Sequence, residues 1–293
     1  MPFGPYNYEK EKVLKPDAKS LIEPLLERVS RAPRSLLMLD YDGTIAPFRK
    51  NRDEALPYPG FSLLLQEIVC TRRTRVVIIS GRDANEIVPM LQIEPRPEIW
   101  GLHGLQRLNP DGSVELCALD QATIEALAAA ENWLLYQNLQ ETAELKIGSI
   151  AVHWRGLSEC EAESLKCRVS LGWKPIARRC HLHLMEFDGG IEIRARDADK
   201  GDAVRTIMNE MHPDIPAAYL GDDTTDEHAF EAMNGRGLSV LVRPRYRATA
   251  AQLWVKPPFE VFDLLAQWLH ACQAHEGAGY HKPSDQNSLE VNA

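Results

Sequence analysis

The feature that most constrains this chain is a short apolar run that ends in two closely spaced carboxylates. Residues 36–39 are four consecutive apolar residues, and Asp40, Asp42 and Gly43 follow within the next four positions. Such a run is typical of a buried strand in a sheet that is covered on both faces. Because alternate side chains of a strand share a face, Asp40 and Asp42 should leave the strand end together.

Two interpretations fit this segment taken alone. Carboxylates this close repel each other unless a cation or a shared proton separates them. One interpretation is therefore a site for a hard divalent cation bound through oxygen, with one carboxylate free to attack a substrate. The other is a buried strand followed by an ordinary Asp-Gly turn.

Composition and charge exclude some classes of partner. The 293 residues suffice for one large domain or two modest ones. The 42 acidic residues outnumber the 33 basic ones, and a net charge of -9 argues against a nucleic-acid-binding surface. No apolar stretch approaches the roughly 20 residues that span a bilayer, so we expect no membrane partner. We expect a monomer.

Cysteine usage and the N-terminus predict a cytoplasmic protein. No two cysteines form a CxxC pair, which argues against a zinc site or a redox pair. The N-terminal segment 1–16 lacks the apolar core of a signal sequence and reads as an irregular arm. Scattered cysteines in such a chain are expected to be reduced and mostly buried. They are Cys70, Cys117, Cys160, Cys167, Cys180 and Cys272.

Short apolar strands alternate with helices in two separate parts of the chain. The first part has predicted strands at 35–40, 75–79 and 98–105 and helices at 17–31, 60–70 and 83–91. The second has strands at 217–220 and 238–242 and helices at 200–211, 226–233 and 258–272. This alternation predicts an α/β fold with a Rossmann-like, doubly wound parallel sheet.

The pattern between these two parts is different. Its predicted elements are strands at 113–117, 143–155, 178–187 and 190–196 and helices at 120–138 and 158–171. The strands are more polar on one face, as in an antiparallel sheet with helices on one side. We therefore predict a core formed by 1–108 and 196–272, an inserted α+β domain over 109–195, and a disordered tail over 273–293.

Polar residues stand at the ends of four predicted strands of the core. In open parallel sheets, ligands bind beyond the carboxyl ends of the strands. A nucleophilic carboxylate, a hydroxyl, a lysine and an acidic metal-binding pair at neighbouring strand ends make a coherent phosphoryl-transfer site. The residues are Asp40 and Asp42, Ser80, His103, and Asp222 with Asp223, and Lys200 begins a helix nearby.

Four motifs in this order resemble those of the haloacid dehalogenase-like phosphatases. They are DYDGT at 40–44, SGR at 80–82, DKG at 199–201 and GDDTTDE at 221–227. The insertion resembles the C2B-type cap domain of that superfamily. Over about 35–270 the chain is more closely similar to the trehalose-6-phosphate phosphatase family. The closer likeness rests on a GxHGx motif at 101–105, a cap motif over 144–155 and a partial motif at 192–194.

The resemblance implies a role for each motif residue. Asp40 would attack phosphorus, Asp42 would serve as general acid and base, and Ser80 and Lys200 would hold the phosphoryl group. Mg²⁺ would be bound by Asp40, the backbone carbonyl of Asp42 and Asp222, with Asp223 and Asp226 as further or outer ligands. The sugar phosphate would contact Arg82, His103, Glu144, Lys146, Arg155, Gly190 and Glu192.

Three departures from the family pattern leave the substrate open. Gln106 stands where the family has Glu, Asp188 where it has Lys, and Ala195 where it has Pro. The expected activity is hydrolysis of trehalose-6-phosphate. The alternatives are a phosphatase for another phosphorylated glycoside, such as glucosyl- or mannosyl-glycerate phosphate, and a non-catalytic sugar-phosphate sensor. The presence of both Asp40 and Asp42 argues against the sensor.

Overall fold

The computed structural model describes residues 18–49, 54–180, 182–187, 189–195 and 199–274. Asp188, the N-terminal arm and the tail beyond Ala274 lie outside the described residues. The strands are β1 Ser35–Leu39, β2 Thr74–Ile79, β3 Glu98–Gly101, β4 Gln106–Leu108, β5 Val114–Leu116, β6 Ala143–Lys146, β7 Ser149–His153, β8 His183–Phe187, β9 Gly190–Arg194, β10 Ala217–Gly221, β11 Leu238–Val242 and β12 Leu253–Val255. The helices are α1 Ala18–Arg31, α2 Phe61–Cys70, α3 Ala84–Leu91, α4 Gln121–Tyr136, α5 Glu159–Arg179, α6 Lys200–Asn209, α7 Glu227–Ala232 and α8 Phe259–Ala274.

The larger of two sheets has eight strands in the order β12-β11-β10-β1-β2-β3-β4-β5. The six strands from β12 to β3 are parallel, and β4 and β5 extend the sheet in antiparallel fashion. The predicted α/β class with a doubly wound parallel sheet is confirmed.

Both faces of this sheet are covered by helices, as the continuous apolar strands predicted. Along β1, Leu37 and Leu39 pack into the cluster formed with α1, α2 and α8. Leu36 and Met38 point the other way and pack with α6 and α7. Since side chains alternate along a strand, this second face is the one on which Asp40 continues.

The smaller sheet is antiparallel, with strand order β6-β7-β9-β8. Its apolar face packs on α4 and α5 through Ile150, Ile193 and the fully buried Trp173. Residues directly opposite in an antiparallel pair share a face, so Ser149 and Arg194 lie together on the other side. That other face is polar, as predicted.

Two predicted elements of the inserted region need correction. The segment 143–155 forms the hairpin of β6 and β7 and not one strand, because the chain turns at Gly148, whose φ of 79° favours glycine. β5 pairs with the larger sheet. We therefore propose that the inserted unit begins after Leu116 and not at residue 109.

Some smaller expectations also differ from the structure. Residues 273 and 274 belong to α8 and not to a tail, and β12 was not predicted. The expectation of mostly buried cysteines is wrong, because Cys70, Cys117, Cys160 and Cys167 are exposed. Within the described ranges, no helix is both long and apolar enough to cross a membrane.

Helix α6 begins at a defined residue and packs closely on α7. The side chain of Asp199 caps the helix by accepting a hydrogen bond from the Asp202 amide at 2.8 Å, so Lys200 is its first residue. A Cβ atom on Gly201 would lie 2.6 Å from the carbonyl oxygen of His228. The glycine therefore permits the approach that positions Lys200.

We expect Gly201→Ala to lower the free energy of unfolding by about 1–3 kcal/mol, because the backbone of His228 must move. In an ordinary helix position the same change would stabilise by up to about 1 kcal/mol. Urea unfolding measures the difference. Thr206→Ala, at an exposed position of the same helix, is the control. Stabilisation by Gly201→Ala would contradict the close contact of α6 with α7.

Candidate active site

The strand order of the larger sheet brings four polar strand ends side by side. β10, β1, β2 and β3 are consecutive parallel neighbours. Their carboxyl ends are followed by Asp222, Asp40, Ser80 and His103. The first three of these residues are buried, with exposed fractions of 5% or less. The structure thus places together the residues that the sequence pattern singled out at this edge.

Lys200 joins three parts of the chain in the centre of this edge. Its Nζ donates to Asp40 Oδ1 at 2.6 Å and to Asp226 Oδ1 at 2.7 Å. Burial lowers the pKa of Lys200, but Asp226 and Asp40 outweigh burial and raise that pKa above its usual value. Lys200 is therefore a charged ammonium that holds the nucleophile candidate in place.

Asp226 is bound by protein donors on both oxygens. Oδ1 accepts from Lys200 and from the phenol of Tyr219, and Oδ2 accepts from the amides of Asp222 and Asp223 at 3.0 and 2.9 Å. Burial, followed by the charge of Asp226, raises the pKa of Tyr219 well above its usual value, so the phenol keeps its proton. Asp226 shapes the loop after β10, and Tyr219 is a site residue that the sequence analysis missed.

Asp40, Asp222 and Asp226 form a compact carboxylate group whose oxygens lie within 4.8 Å of one another. Burial raises the pKa of Asp222 well above its usual range, and Asp40 and Asp226 raise it further. Within the described ranges no hydrogen bond to the Asp222 carboxylate is present. Buried, mutually repelling carboxylates with one unpartnered member fit a divalent cation. Asp223 is half-exposed and lies outside this group.

Gly43 allows the Asp222 carboxylate to come close to the loop after β1. A Cβ atom at Gly43 would lie 2.3 Å from Asp222 Oδ2, and the glycine has a φ of 83°. Thr44 donates to Asp40 Oδ2 at 3.3 Å, which occupies the oxygen that Lys200 does not bind. The DYDGT motif therefore shapes the carboxylate group as well as contributing to it.

Arg82 holds Asp42 in a bidentate ion pair. Arg82 Nε and Nη2 donate to the two carboxylate oxygens, each at 2.6 Å. Arg82 is buried, and its backbone amide donates to Ser80 Oγ at 3.2 Å. In the structure Arg82 fixes the direction of the Asp42 carboxylate, and its predicted contact with substrate stays a prediction.

His103 lies against the loop that follows β2. Its amide donates to the carbonyl of Ser80 at 2.9 Å, and a Cβ atom on Gly81 would lie 2.6 Å from its ring. Its Nε2 also lies 4.0 Å from Glu192 Oε2 of the inserted unit. His103 is therefore placed at the junction between the two units.

Gln106 supports the same loop and does not reach towards the carboxylate group. Its Oε1 accepts from the Ala84 amide at 2.7 Å, and its Nε2 donates to Asp83 Oδ1 at 3.2 Å. These contacts secure the start of α3, two residues after Arg82. The residue that departs from the family Glu therefore supports the start of α3.

The polar face of the smaller sheet carries a linked set of side chains. Ser149 Oγ donates to Glu192 Oε1 at 2.8 Å. Glu144 lies 3.2 Å from Lys146 Nζ and 2.9 Å from His153 Nε2. Three residues predicted to bind substrate, Glu144, Lys146 and Glu192, therefore share one face.

Two other predicted substrate residues have evident packing roles. A Cβ atom on Gly190 would lie 2.1 Å from the ring of Phe187, so the glycine permits the β8–β9 pairing. The exposed Arg155 covers Gly189, where a Cβ atom would lie 2.5 Å from its Cγ. Ala195 donates its amide to the carbonyl of Gly148 at 2.8 Å, a bond that a proline at this position could not make.

Two arginines from one segment support the loop that carries Asp222 and Asp223. Arg243 Nη1 donates to the carbonyl of Asp222 at 3.1 Å, and Arg247 Nη2 donates to that of Asp223 at 2.7 Å. Arg247 also pairs with Glu227. Sequence reasoning missed both, since arginines beyond the last motif carry no spacing signal.

The structure is similar to that of a haloacid dehalogenase-like hydrolase from Bacteroides thetaiotaomicron, with a TM-score of 0.56 at 12% identity over 80% of this chain and 99% of that one. The C-terminal domain of Candida albicans trehalose-6-phosphate phosphatase has this fold, with a TM-score of 0.69 at 19% identity over 86% of this chain and 96% of that one. The sequence model of the trehalose-phosphatase family matches residues 38–253, and the chain belongs to that family.

Curated relatives are longer than this chain. A trehalose-phosphate phosphatase of Mycobacterium marinum is 30% identical over 245 residues, which are 79% of this chain and 60% of the relative. An uncharacterized glycosyl hydrolase of Mycobacterium tuberculosis is 29% identical over 284 residues, which are 92% of this chain and 20% of that protein. The chain thus spans less than two thirds of either relative.

The carboxylate group predicts a pH-dependent stability of the metal-free protein. Burial raises the pKa of Asp40 from 3.8 to about 7, with Lys200 opposing. Because the folded pKa exceeds the unfolded one, the free energy of unfolding should fall as pH rises from about 4 to about 7. Mg²⁺ added at the upper end should restore it, as any ligand of the folded state does.

Asp222→Asn should flatten this pH dependence and remove most of the gain from Mg²⁺. Thermal unfolding with EDTA and with Mg²⁺ measures both effects. Asp214→Asn removes an exposed carboxylate and is the control. An Asp222→Asn protein with the pH slope and Mg²⁺ response of the wild type would show that this carboxylate group binds no cation.

Proposed function

We propose that this chain is a Mg²⁺-dependent phosphatase that hydrolyses trehalose-6-phosphate to trehalose and inorganic phosphate. The observation that carries the proposal is the pairing of Asp40 with Lys200 inside a buried carboxylate group, beside an Asp42 held by Arg82. Membership of the trehalose-phosphatase family supports the substrate class.

Asp40 would act as the nucleophile. Its carboxylate oxygen attacks phosphorus, the bond from phosphorus to the sugar oxygen breaks, and an aspartyl-phosphate forms. Asp42 gives a proton to the leaving oxygen, then takes one from the water that attacks phosphorus and frees Asp40. Lys200 and Ser80 stabilise the charge on the phosphoryl oxygens.

The fit of the carboxylate group to a divalent cation completes the proposed site. Asp40, Asp222 and the backbone carbonyl of Asp42 would hold Mg²⁺, with Asp223 as a further or outer ligand. The ion would supply neutralisation of the charge shared by the carboxylates and the phosphate. Asp226 would be an outer residue of the metal site, because both of its carboxylate oxygens already accept hydrogen bonds from Lys200, Tyr219 and two amides.

We also propose that the enzyme works in the cytoplasm. All six cysteines are free, which suits the reducing cytoplasm. A small sugar phosphate is the expected partner, and we propose a monomer. Neither nucleic acid nor a membrane enters the proposed mechanism.

Removal of the nucleophile tests the chemistry. We expect Asp40→Asn to lower kcat by about a thousandfold or more, because the neutral amide cannot form the acyl phosphate. Phosphate release from trehalose-6-phosphate is the measurement, and circular dichroism checks the fold. Asp214→Asn is the surface control. Turnover of Asp40→Asn near that of the wild type would remove Asp40 from the nucleophilic role.

Discrimination between sugar phosphates must come from groups beyond the phosphate site, and Glu192 is placed for it. Glu192 is anchored by Ser149 on the polar face and lies 4.0 Å from His103 across the junction. We expect Glu192→Gln to lower kcat/KM for trehalose-6-phosphate by about 5- to 150-fold, as hydroxyls and donors lose their charged acceptor. With p-nitrophenyl phosphate the loss should be much smaller.

The matched control is Glu186→Gln in β8, where the glutamate pairs with Lys166 at 2.8 Å. Equal losses on both substrates would assign Glu192 to the fold or to the chemistry.

A panel of sugar phosphates decides the substrate. It should include glycerate glycosides, because Asp188 stands in place of the family Lys. Preference for one of those would replace trehalose-6-phosphate, and binding without turnover would identify a sensor.

A further inference from the structure

Arg194, the last residue of β9, is a buried cation with no ion-pair partner among the residues that the structure describes. Only 4% of its surface is exposed, and its Nε has no hydrogen-bond partner. In the part of the chain that the structure describes, no hydrogen bond or ion pair involves this guanidinium. Burying a charged group without a partner is strongly unfavourable, so its presence needs a reason.

The register of the smaller sheet determines the side on which Arg194 lies. It stands directly between Ser149 of β7 and His183 of β8. The neighbouring residue Ile193 points into the apolar cluster with α4 and α5, so Arg194 points to the opposite, polar face. Glu192 is on that same face and reaches the junction with His103. Arg194 therefore lies on the face that the inserted unit turns towards the active site.

The carboxylates near Arg194 accept hydrogen bonds from other donors and not from its guanidinium. Glu192 Oε1 accepts from Ser149 at 2.8 Å. The Asp199 carboxylate accepts from the Asp202 amide at 2.8 Å and lies 2.9 Å from His228 Nδ1. Burial lowers the pKa of Arg194. The charges of Glu192 and Asp199 oppose that change, although neither carboxylate is hydrogen-bonded to the guanidinium. A guanidinium stays protonated under such conditions, so the charge persists.

We propose that Arg194 is a substrate-binding residue whose guanidinium donates to an oxygen of the sugar phosphate bound between the two units. This inference rests on the proposed phosphatase function and adds a contact to it. The ligand class follows from the donor: a planar fork of N–H groups is suited to a phosphoryl oxygen or to sugar hydroxyls.

Replacement of Arg194 should change the stability of the ligand-free protein in opposite directions for a substrate-binding role and for a structural role. An arginine that supports the fold loses its contacts when it is replaced, and the free protein becomes less stable. An arginine whose partner is supplied only by a bound ligand destabilises the ligand-free protein, because its charge is unpaired there. Methionine has a similar length and no charge, so Arg194→Met should leave the ligand-free protein as stable as the wild type or make it more stable.

The experiment compares Arg194→Met, Arg194→Lys and the parent protein, all in the Asp40→Asn background so that no ligand is consumed. Arg168→Met is the matched control, because Arg168 lies on α5 of the same unit and donates to the carbonyl of Gln137. Thermal unfolding and titration calorimetry are run with Mg²⁺, alone and with trehalose-6-phosphate, trehalose or inorganic phosphate.

We expect Arg194→Met to keep its ligand-free melting temperature and to bind trehalose-6-phosphate about 10- to 150-fold more weakly, the range for a lost hydrogen bond to a charged group. Arg194→Lys should be intermediate, and the control should match the parent. Weakened binding of inorganic phosphate would assign the contact to the phosphoryl end, and weakened binding of trehalose would assign it to the sugar.

A lower melting temperature of ligand-free Arg194→Met, with unchanged dissociation constants, would overturn the proposal. If the parent binds another sugar phosphate in place of trehalose-6-phosphate, the substrate assignment fails alone. Arg194→Met must then weaken the binding of that other ligand, and unchanged affinity would overturn the inference. If the parent binds no sugar phosphate, both proposals fall.

Discussion

The bridge from Lys200 to Asp40 and Asp226 is the interaction on which the rest of the site depends. It joins the end of β1, the start of α6 and the loop after β10 through two short, charge-assisted hydrogen bonds. One ammonium cannot neutralise the three buried carboxylates of Asp40, Asp222 and Asp226. The excess negative charge makes the group suitable for a divalent cation, and Tyr219, Arg243 and Arg247 hold the loop against that repulsion.

The Lys200 bridge also explains why a whole unit can be inserted in the chain without disturbing the carboxylate group. Asp40 and Lys200 are distant in sequence, and the smaller sheet lies between them. The parallel order β10-β1-β2 brings their elements together independently of the insertion. The inserted unit returns through Arg194 and Ala195 only a few residues before Lys200. The connection between the inserted unit and the core therefore ends next to the carboxylate group.

Sequence reasoning predicted the features that depend on local pattern. The strand ends at Asp40, Ser80 and Asp222 were found because each polar residue interrupts an apolar run, and a buried strand requires such a run. The doubly wound class followed from the same alternation. The division of 143–155 into two strands was missed because Gly148 is a single residue within an alternating pattern, and its φ of 79° is not visible in that pattern.

What sequence reasoning could not provide is the direction of long side chains. Arg82 follows a strand end in either case, and only packing shows that it binds Asp42. Gln106 gave the impression of a change in substrate contacts, yet its partners are Ala84 and Asp83. The short β12 lacked the length that distinguishes a strand from a loop, and the exposed cysteines lie where composition gives no information about burial.

Two buried ionisable groups in different units make no hydrogen bond with the described residues, one a carboxyl and the other a guanidinium. Among the residues that the structure describes, none donates a hydrogen bond to the Asp222 carboxylate and none accepts one from the Arg194 guanidinium. Each is unfavourable in the free protein, and stability alone would favour replacing both. A metal-bound sugar phosphate offers a cation to the first and oxygen acceptors to the second. If the proposed function holds, such a ligand would supply partners that the described part of the folded chain does not provide, and this would strengthen its binding.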